Sequence, residues 1–383
     1  MTSCPLAVVL RVAAVGLATV GAAGCGGSAA GQALKSVLES PAPSGRYVVG
    51  TESFRLVERT RDPFAPRRRS REVMLQLWYP AVGRGSRGLR YMPDGVARTI
   101  AEEEHIPARL LEMLQTHSYP SASVRVASAP YPVLLFSPGY GVSRLMYTGL
   151  FEDLASRGFV VAALDHTYEA AAVEFPRRRV VRRTLPGDPS RLPPRRLSAV
   201  IGTRVSDLRY ALSTIGRMNR RGRFRGSLQV DAVGVLGHSL GGLTAARVTA
   251  ADPRITCGAD LDGSVFGKQV RHVLTKPFLL MSEWPRREAT LTRFWLSLRG
   301  FRRWVLVRGT RHLDFSDWTW LAPLLRSRGV RVASAELGPI GGSRALQIER
   351  SYLGSFFSRC LGAEDDGLLD RVPSPYPEVR VRR

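Results

Sequence analysis

The chain has 383 residues, 44% of them hydrophobic and 23% charged, which is ordinary for a folded globular protein with room for a sizeable core. Its 56 basic and 32 acidic residues give a formal net charge of +24 at pH 7. The basic residues are scattered, without a basic helix interleaved with aromatic residues or a known nucleic-acid-binding motif. The charge pattern therefore argues against a protein that binds nucleic acid.

The N-terminus has the pattern of an export signal. Arg11 precedes the small, apolar residues 12–24, and Cys25 follows them, ahead of a stretch rich in Gly, Ser and Ala. The step AAGC resembles a bacterial lipobox, although alanine stands where a larger aliphatic residue is usual. We predict a signal peptide of the lipoprotein type at 1–24, with Cys25 lipidated and the protein tethered outside the cytoplasmic membrane; a plain secretory signal and an uncleaved anchor are the alternatives. A flexible linker is expected at 25–45.

Two strands are predicted next, at 47–58 and 71–80, where apolar and polar residues alternate. Because both are amphipathic and follow one another directly, they are expected to be antiparallel at one edge of a sheet. A loop rich in Gly and Arg at 83–90 and a helical patch at about 95–115 follow.

The middle of the chain alternates buried strands with helices. Continuous apolar runs at 132–137 and 159–164 indicate strands buried on both faces, with a helix between them at 145–157. Residues 175–196 are too rich in Arg and Pro for a core and are predicted to be a solvated loop. An amphipathic helix is predicted at 198–218.

The same alternation continues towards the C-terminus. Strands are predicted at 228–237, 254–262, 277–282 and 303–309. Helices are predicted at 240–250 and near 343–359, and residues 363–383 are expected to form a loosely ordered tail. This order of elements predicts an α/β fold, an open and mostly parallel sheet with helices on both faces, at 46–362.

The four cysteines have different predicted fates. Cys4 leaves with the signal peptide, and Cys25 would carry lipid. Cys257 and Cys360 could pair in an oxidising compartment, but the apolar run around Cys257 is equally compatible with a buried free thiol. No CxxC motif or Cys/His cluster suggests a metal site.

Ser239 lies in the stretch VLGHSLGGLTAA, between a predicted strand and a predicted helix. A strand that turns sharply into a helix at one serine strains the backbone and needs small neighbours, and it exposes the hydroxyl at the helix N-terminus. GxSxG alone is a weak signal, but this context indicates the nucleophile elbow of the α/β-hydrolases.

A serine nucleophile needs a histidine base. The chain order of this fold, nucleophile, acid, base, leaves His272 and His312. His272 lies in an apparent helix, whereas His312 lies in a loop directly after the strand at 303–309. We predict His312 as the base and a local packing role for His238.

Three carboxylates are candidates for the acid that orients the base. Asp262 ends one predicted strand, Asp260 lies deeper on the same face, and Glu283 ends the next strand. The order of strands does not decide between Asp262 and Glu283.

Two backbone N–H groups should complete an oxyanion hole. One belongs to Leu240, the residue after the serine. The other belongs to the loop Pro138-Gly139-Tyr140-Gly141, where Tyr140 is the predicted donor and its side chain could also cover the acyl pocket.

Taken together, these segments resemble the secreted platelet-activating factor acetylhydrolases and their bacterial relatives. The matching segments are LWYP (77–80), YPVLLFSPGYG (131–141), LASRGFVVAALDH (154–166), GHSLGGLTA (237–245), LDG (261–263), KPFLLMSE (276–283) and RGTRHLDFSD (308–317). The resemblance implies an α/β-hydrolase fold and a Ser-Asp-His triad without metal or cofactor. It selects Asp262 over Glu283 as the acid, and it implies that the amides of Tyr140 and Leu240 form the oxyanion hole.

One residue departs from the family pattern, because animal members have a histidine where Pro138 stands. Bacterial polyester hydrolases of the cutinase type share a similar segment here, but they place the acid after the next strand. The resemblance implies a serine esterase like 1-alkyl-2-acetylglycerophosphocholine esterase, acting on short-chain acyl esters such as those of phospholipids. The lipid anchor predicted at Cys25 would place it at a membrane surface. The alternatives are a lipase or cutinase-like hydrolase and a non-catalytic, lipid-anchored binding protein.

Overall fold

The computed structural model describes residues 38–83, 85, 88–265, 273–286, 288–332 and 336–383. The predicted signal peptide, Cys25 and the alternative base His272 lie outside the described residues.

A mixed sheet forms the centre of the molecule. Its strands are β1 (Val48–Arg61), β2 (Ser70–Val82), β3 (Ser118–Pro120), β4 (Ser123–Val124), β5 (Tyr131–Ser137), β6 (Val160–Asp165), β9 (Leu228–His238), β10 (Ile255–Leu261), β11 (Phe278–Trp284), β12 (Arg302–Arg308) and β13 (Val379–Arg382). A separate hairpin consists of β7 (Ala172–Phe175) and β8 (Arg179–Arg182). The sheet order is β13-β12-β11-β10-β9-β5-β6-β2-β1-β3, and β4 pairs with β2.

Within the series β6-β5-β9-β10-β11-β12, each pair of adjacent strands is parallel. β5, β6 and β10 are buried along almost their whole length because helices cover both faces. β1 pairs antiparallel with β2, and β2 with β6, which confirms the predicted antiparallel strands near one edge. This is the predicted α/β-hydrolase architecture.

Helices pack on the two faces of this sheet. They are α1 (Asp94–Glu104), α2 (Ala108–Met113), α3 (Thr148–Ser156), α4 (Pro194–Arg220), α5 (Leu240–Ala251), α6 (Ala289–Ser297), α7 (Trp318–Arg326) and α8 (Gly342–Leu361). One core lies between the sheet and α3, α7 and α8, and the cores on the other face involve α4, α5 and α6. Within the described part of the chain, none of the helices is long and apolar enough to cross a membrane.

Cys257 and Cys360 form a disulfide bond that joins β10 to α8, with 6.4 Å between their Cα atoms. Of the two alternatives that the sequence left open, the structure therefore has the pair and not the free thiol. The bond ties β10, the strand before the predicted acid Asp262, to α8. The two cysteines are 103 residues apart in the sequence.

Residues 363–383 differ from the prediction of a loosely ordered tail. Val379–Arg382 adds β13 antiparallel to the edge of β12, and Leu369 is fully buried. The sequence VRVR alternates as an edge strand does, with charged side chains that protect the open edge. The ordered domain therefore extends beyond residue 362.

Two further segments are more ordered than predicted. Residues 38–45, the end of the expected linker, pack on the domain through buried Leu38 and through Ser40, whose hydroxyl donates to Glu152 Oε2 at 3.0 Å. The predicted solvated loop at 175–196 includes the turn and second strand of the β7–β8 hairpin, and its Phe175 is buried. In both segments a few apolar anchors order a mainly polar sequence.

Candidate active site

Ser239 lies between the end of β9 and the start of α5, with φ 57° and ψ −121°. Few residues with a side chain adopt this conformation, and such strain is typical of a nucleophile elbow. The flanking residues must be glycines because neighbouring backbone lies too close for a Cβ. A Cβ on Gly237 would lie 2.3 Å from the carbonyl oxygen of Gly241, and a Cβ on Gly241 would lie 1.9 Å from the carbonyl oxygen of Ser137. The predicted strand-serine-helix context is therefore present.

Asp262 and His312 are brought together from two different strands. Asp262 follows β10 with a φ of 51°, and His312 opens a short 3₁₀ turn, His312–Phe315, after β12. His312 Nδ1 donates to Asp262 Oδ2 at 2.7 Å. Because a carboxylate can only accept, the proton of the neutral imidazole is on Nδ1, and Nε2 keeps the basic lone pair.

Asp262 is completely buried and has three donors. Besides His312, the backbone N–H of Glu283 and Nη1 of Arg286 donate to its Oδ1, at 3.2 and 3.1 Å. Burial on its own would raise the pKa of Asp262, but the hydrogen bond from His312 and the charge of Arg286 together hold that pKa below its ordinary value. The carboxylate is therefore charged at neutral pH and can orient and stabilise a protonated imidazole.

The other two candidate acids are placed differently. The carboxylate of Glu283 lies 3.4 Å from Arg286, and burial together with the charge of Asp262 raises the pKa of Glu283. Asp260 accepts the backbone N–H of Gly263 at 2.9 Å, and burial raises its pKa well above the ordinary value. The carboxylate that contacts His312 is Asp262, the one that the resemblance implies.

The loop that carries Tyr140 lies against the elbow, since Ser137 at the end of β5 is in register with Gly237 of β9. The N–H of Leu240 has no acceptor within its helix because it is the first helical residue. The Tyr140 hydroxyl donates to the carbonyl of Pro186 at 2.7 Å. The structure thus ties the Tyr140 side chain to the segment after β8, while its backbone stays beside the elbow.

His238 has a larger part in the site than the predicted packing role. Its Nε2 donates to the carbonyl oxygen of His312 at 3.0 Å. In a neutral ring Nδ1 is then an acceptor, and the hydroxyl of Tyr147 donates a hydrogen bond to it at 2.8 Å. The Tyr147 oxygen in turn accepts the N–H of Gly139 at 3.0 Å. Burial, with a smaller effect of neighbouring His312, lowers the pKa of His238 to about 3, which keeps the ring neutral. This chain of hydrogen bonds joins the backbone of His312, the predicted base, to the loop of Tyr140.

A second, buried Ser-His-Asp chain lies beneath that loop. Ser137 Oγ is 2.9 Å from His166 Nε2, and His166 Nδ1 is 2.8 Å from Asp207 Oδ2. All three side chains are at most 2% exposed, so no substrate reaches this serine. Sequence reasoning missed the arrangement because its members come from three distant segments and share no local motif.

The arrangement around Ser239 has the parts of nucleophilic acyl transfer. These are a serine on a strained turn, a histidine whose Nδ1 is held by a charged carboxylate, and backbone donors at a helix start and in a neighbouring loop. The hydrogen bond between Ser239 and His312 stays a prediction, as do the two oxyanion contacts. Among the described residues, no group of His, Cys, Asp and Glu side chains is arranged to hold a metal ion.

Comparisons with known proteins point to one family. The model of the family described as platelet-activating factor acetylhydrolase, isoform II, matches residues 33–199 and 201–365. A probable 1-alkyl-2-acetylglycerophosphocholine esterase of Arthroderma benhamiae is 27% identical over 267 residues, and the platelet-activating factor acetylhydrolase of Bos taurus is 28% identical over 267 residues. These matches cover 65% and 62% of this chain, and they span 65% and 58% of the relatives' own lengths.

A solved structure is similar over more of the chain. The ferulic acid esterase of Streptomyces cinnamoneus superposes with a TM-score of 0.77 and 33% sequence identity. The superposition covers 91% of this chain and all of that one. The fold and its order of elements are therefore shared over almost the whole domain.

Proposed function

The chain belongs to the platelet-activating factor acetylhydrolase, isoform II, family, and from this premise we propose that it is a serine carboxylic-ester hydrolase. The observation that carries the proposal is the 2.7 Å hydrogen bond from His312 to buried, charged Asp262, beside a serine in the elbow conformation. A general base needs its imidazole held in this way, and the hydrogen bond from Ser239 to His312 Nε2 is the further contact that we propose.

The proposed reaction has two halves. In the first, His312 Nε2 takes the hydroxyl proton of Ser239 while Oγ forms a bond to the ester carbonyl carbon. The carbonyl oxygen becomes an oxyanion, which the N–H groups of Tyr140 and Leu240 stabilise. The intermediate collapses, the alcohol leaves with the proton from His312, and an acyl-enzyme remains. In the second half, water attacks the acyl-enzyme with the help of the same groups and releases the acid.

The preferred substrates are short-chain esters, in line with the names of the fungal and bovine relatives, and phospholipid esters with a short acyl chain are the physiological class that we propose. A second candidate class is esters of ferulic acid. It is favoured by the streptomycete structure, which is more similar and covers more of this chain than those two relatives.

The test is the hydrolysis rate against acyl length, from p-nitrophenyl acetate to palmitate, for the wild type and for Ser239→Ala. Methyl ferulate and a 1-alkyl-2-acetyl phospholipid are measured beside that series. A preference for acetyl and butyryl esters that Ser239→Ala abolishes supports the proposal. A maximum at long chains would make the protein a lipase, and a maximum on methyl ferulate would favour the second class.

A labelling experiment separates catalysis from binding on the same scaffold. A fluorophosphonate should label the wild type and the surface variant Ser213→Ala once per chain, and it should not label Ser239→Ala. An unlabelled wild type that cleaves none of the esters would overturn the proposal in favour of a non-catalytic binding protein.

We further propose that the protein is exported and anchored by lipid on Cys25, at a membrane surface. The export pattern of residues 1–25 supports this, and so does the Cys257–Cys360 disulfide, since such bonds persist in oxidising compartments. Mass spectrometry of the membrane-bound wild type should find a mature N-terminus at Cys25 that carries lipid, and Cys25→Ser should carry none. A wild type with an unmodified N-terminus would contradict the anchor.

A further inference from the structure

Arg204 is a buried arginine of α4 that contacts the loop of the predicted oxyanion hole. It is 1% exposed. Nη1 donates to the carbonyl oxygen of Pro138 at 2.8 Å and to Ser137 Oγ at 3.1 Å, and Nη2 donates to the carbonyl oxygen of Gly139 at 3.2 Å. One guanidinium thus holds three consecutive residues at the end of β5.

The contact with Gly139 determines where the next N–H points. The peptide bond between Gly139 and Tyr140 is trans, and in a planar trans peptide the C=O and N–H point in opposite directions. Because Arg204 holds the Gly139 carbonyl towards the buried side, the N–H of Tyr140 must point away from the guanidinium. We propose that Arg204 is the positioning residue that presets the oxyanion hole by fixing this peptide; the inference rests on the proposed esterase function.

The backbone of the loop gives the Gly139 carbonyl a turn hydrogen bond, from the N–H of Val142 at 3.2 Å, and Arg204 adds a charged donor to the same oxygen. Gly139 and Gly141 flank Tyr140, and Gly141 has a φ of 76°. A flip of the Gly139–Tyr140 peptide would change ψ of Gly139 and φ of Tyr140, and Gly139 lacks the Cβ that would restrict its part of that rotation. A flipped peptide would turn a carbonyl oxygen towards the developing oxyanion and remove one of its two donors.

The surroundings keep Arg204 in place. Its Nε donates to Glu169 Oε2 at 2.9 Å, and Nη2 also contacts Glu169 Oε1, so the buried positive charge has a bidentate partner. A lysine has no planar fork with which to hold Glu169 and two carbonyls at once.

The buried Ser137-His166-Asp207 chain supports the same arginine. Burial lowers the pKa of His166, so the ring is neutral, and its Nδ1 donates to Asp207. Nε2 is then an acceptor for the hydroxyl proton of Ser137, and the Ser137 oxygen is left to accept from Arg204. The hydrogen bonds therefore run one way, from Arg204 to Ser137, then to His166 and then to Asp207. Because the Ser137 hydroxyl is buried and engaged, this hydrogen-bonded chain is a fixed support and not a second nucleophile.

The first test compares Arg204→Lys with Arg350→Lys. Arg350 is a matched control because it is also buried and also donates to backbone carbonyls, those of Pro41, Ala42 and Gly149, but it contacts none of the residues assigned to the reaction. Arg204→Lys should lower kcat for p-nitrophenyl acetate by roughly 10- to 100-fold with KM within about twofold, since loss of a whole oxyanion donor costs roughly 100- to 1,000-fold. Arg350→Lys should change thermal stability without changing kcat.

A charge-balanced variant covers the case in which Arg204→Lys does not fold. Arg204→Gln combined with Glu169→Gln leaves no unpaired buried charge. It should retain the native circular dichroism spectrum and show the same loss of kcat.

The second readout is specific to the oxyanion. A ¹³C-labelled trifluoromethyl ketone forms a hemiketal with the serine, and the pKa of that hydroxyl, followed by ¹³C shift, reports how well the oxyanion is stabilised. Weaker donation in the Arg204 variants should raise this pKa above that of the wild type and of Arg350→Lys.

The outcomes separate the two proposals. An unchanged hemiketal pKa, or a kcat that falls no further than in Arg350→Lys, would refute the role of Arg204 while the esterase function stands. A wild type with no Ser239-dependent hydrolysis would overturn the esterase function and this inference with it.

Discussion

At the scale of single residues, each group of the site is set by contacts with its neighbours, several of which lie outside its own motif. Asp262 owes its charge to His312 and Arg286, and Ser239 owes its conformation to the glycines around it. His238 is neutral, so one ring nitrogen accepts a hydrogen bond from the Tyr147 hydroxyl and the other donates one to the carbonyl of His312. The reactivity of one serine therefore depends on buried neighbours that come from several strands.

Replacement of Asp262, the proposed acid, should lower kcat far more than replacement of neighbouring Glu283. Asp262→Asn keeps the shape but loses the negative charge that holds Nδ1–H, so kcat should fall by roughly 1,000- to 10,000-fold. Glu283→Gln keeps the backbone N–H that Asp262 accepts, and it should lower kcat by less than about tenfold. Esterase kinetics of the two variants check this, and equal losses would make Glu283 a partner in the acid function.

Tyr147→Phe should loosen the connection between His312, the proposed base, and the loop of the predicted oxyanion donor Tyr140. It leaves the N–H of Gly139 and Nδ1 of His238 buried without a partner, which costs about 1–3 kcal/mol of stability. We expect a several-fold lower kcat and a lower melting temperature, with the acid limb of the pH-rate profile unmoved, because His238 is neutral throughout that range. A shifted acid limb would show that His238 titrates during the reaction.

At the scale of elements, the carboxyl ends of neighbouring parallel strands bring the site together. β5 ends at the loop of Tyr140, β9 at Ser239 and β10 at Asp262, and the turn after β12 carries His312. α4 adds Arg204 from below the loop. A change in the position of any of these strands would therefore move one member of the site relative to the others.

The disulfide should stabilise one of these strands. It closes a long loop between β10 and α8, and in the chain-entropy account a loop of this length contributes up to about 5 kcal/mol. Reduction should lower the melting temperature of the wild type. Cys257→Ala combined with Cys360→Ala should melt at that lower temperature with or without reductant. A wild type that melts unchanged after complete reduction would contradict the role.

The sequence predicts the parts of the fold that local pattern determines. The strands at 132–137 and 159–164 are apolar throughout because they are buried on both faces, and the elbow has its own motif. The tail at 363–383 was mispredicted because β13 gains its pairing from a strand some seventy residues earlier. Arg204 was missed for a related reason: its importance arises only when α4 packs beneath the loop after β5.

At the scale of the whole molecule, the core keeps several carboxyl groups away from water. Glu349 on α8 is one, with an oxygen, Oε1, that has no hydrogen-bond partner within the described chain. The negative charges of Asp317, at the start of α7, and of Asp314, in the turn before it, raise the pKa of Glu349. The positive charge of neighbouring Arg350 lowers that pKa. Burial, followed by the charge of Asp317, raises the pKa of Glu349 from about 4.5 to about 8. The folded protein therefore holds a proton there at neutral pH.

This proton makes the stability depend on pH. A carboxyl whose pKa is higher in the folded state stabilises the fold fully below its unfolded pKa, and that contribution is lost as pH rises towards the folded value. Between about pH 4.5 and 8 the free energy of unfolding should fall by up to about 1.4 kcal/mol per pH unit on account of Glu349.

Glu349→Gln should remove this dependence, because the amide resembles the protonated acid and does not titrate. Thermal unfolding of the wild type and the variant is measured from pH 4.5 to 8. The two melting temperatures should be close at pH 4.5, and the variant should melt progressively higher than the wild type as pH rises. Glu364→Gln, on the exposed segment after α8, is the control and should follow the wild type at every pH. Parallel curves for wild type and Glu349→Gln would mean that Glu349 is ionised in the folded protein. In that case Arg350, and not a bound proton, would be what compensates the buried carboxyl group.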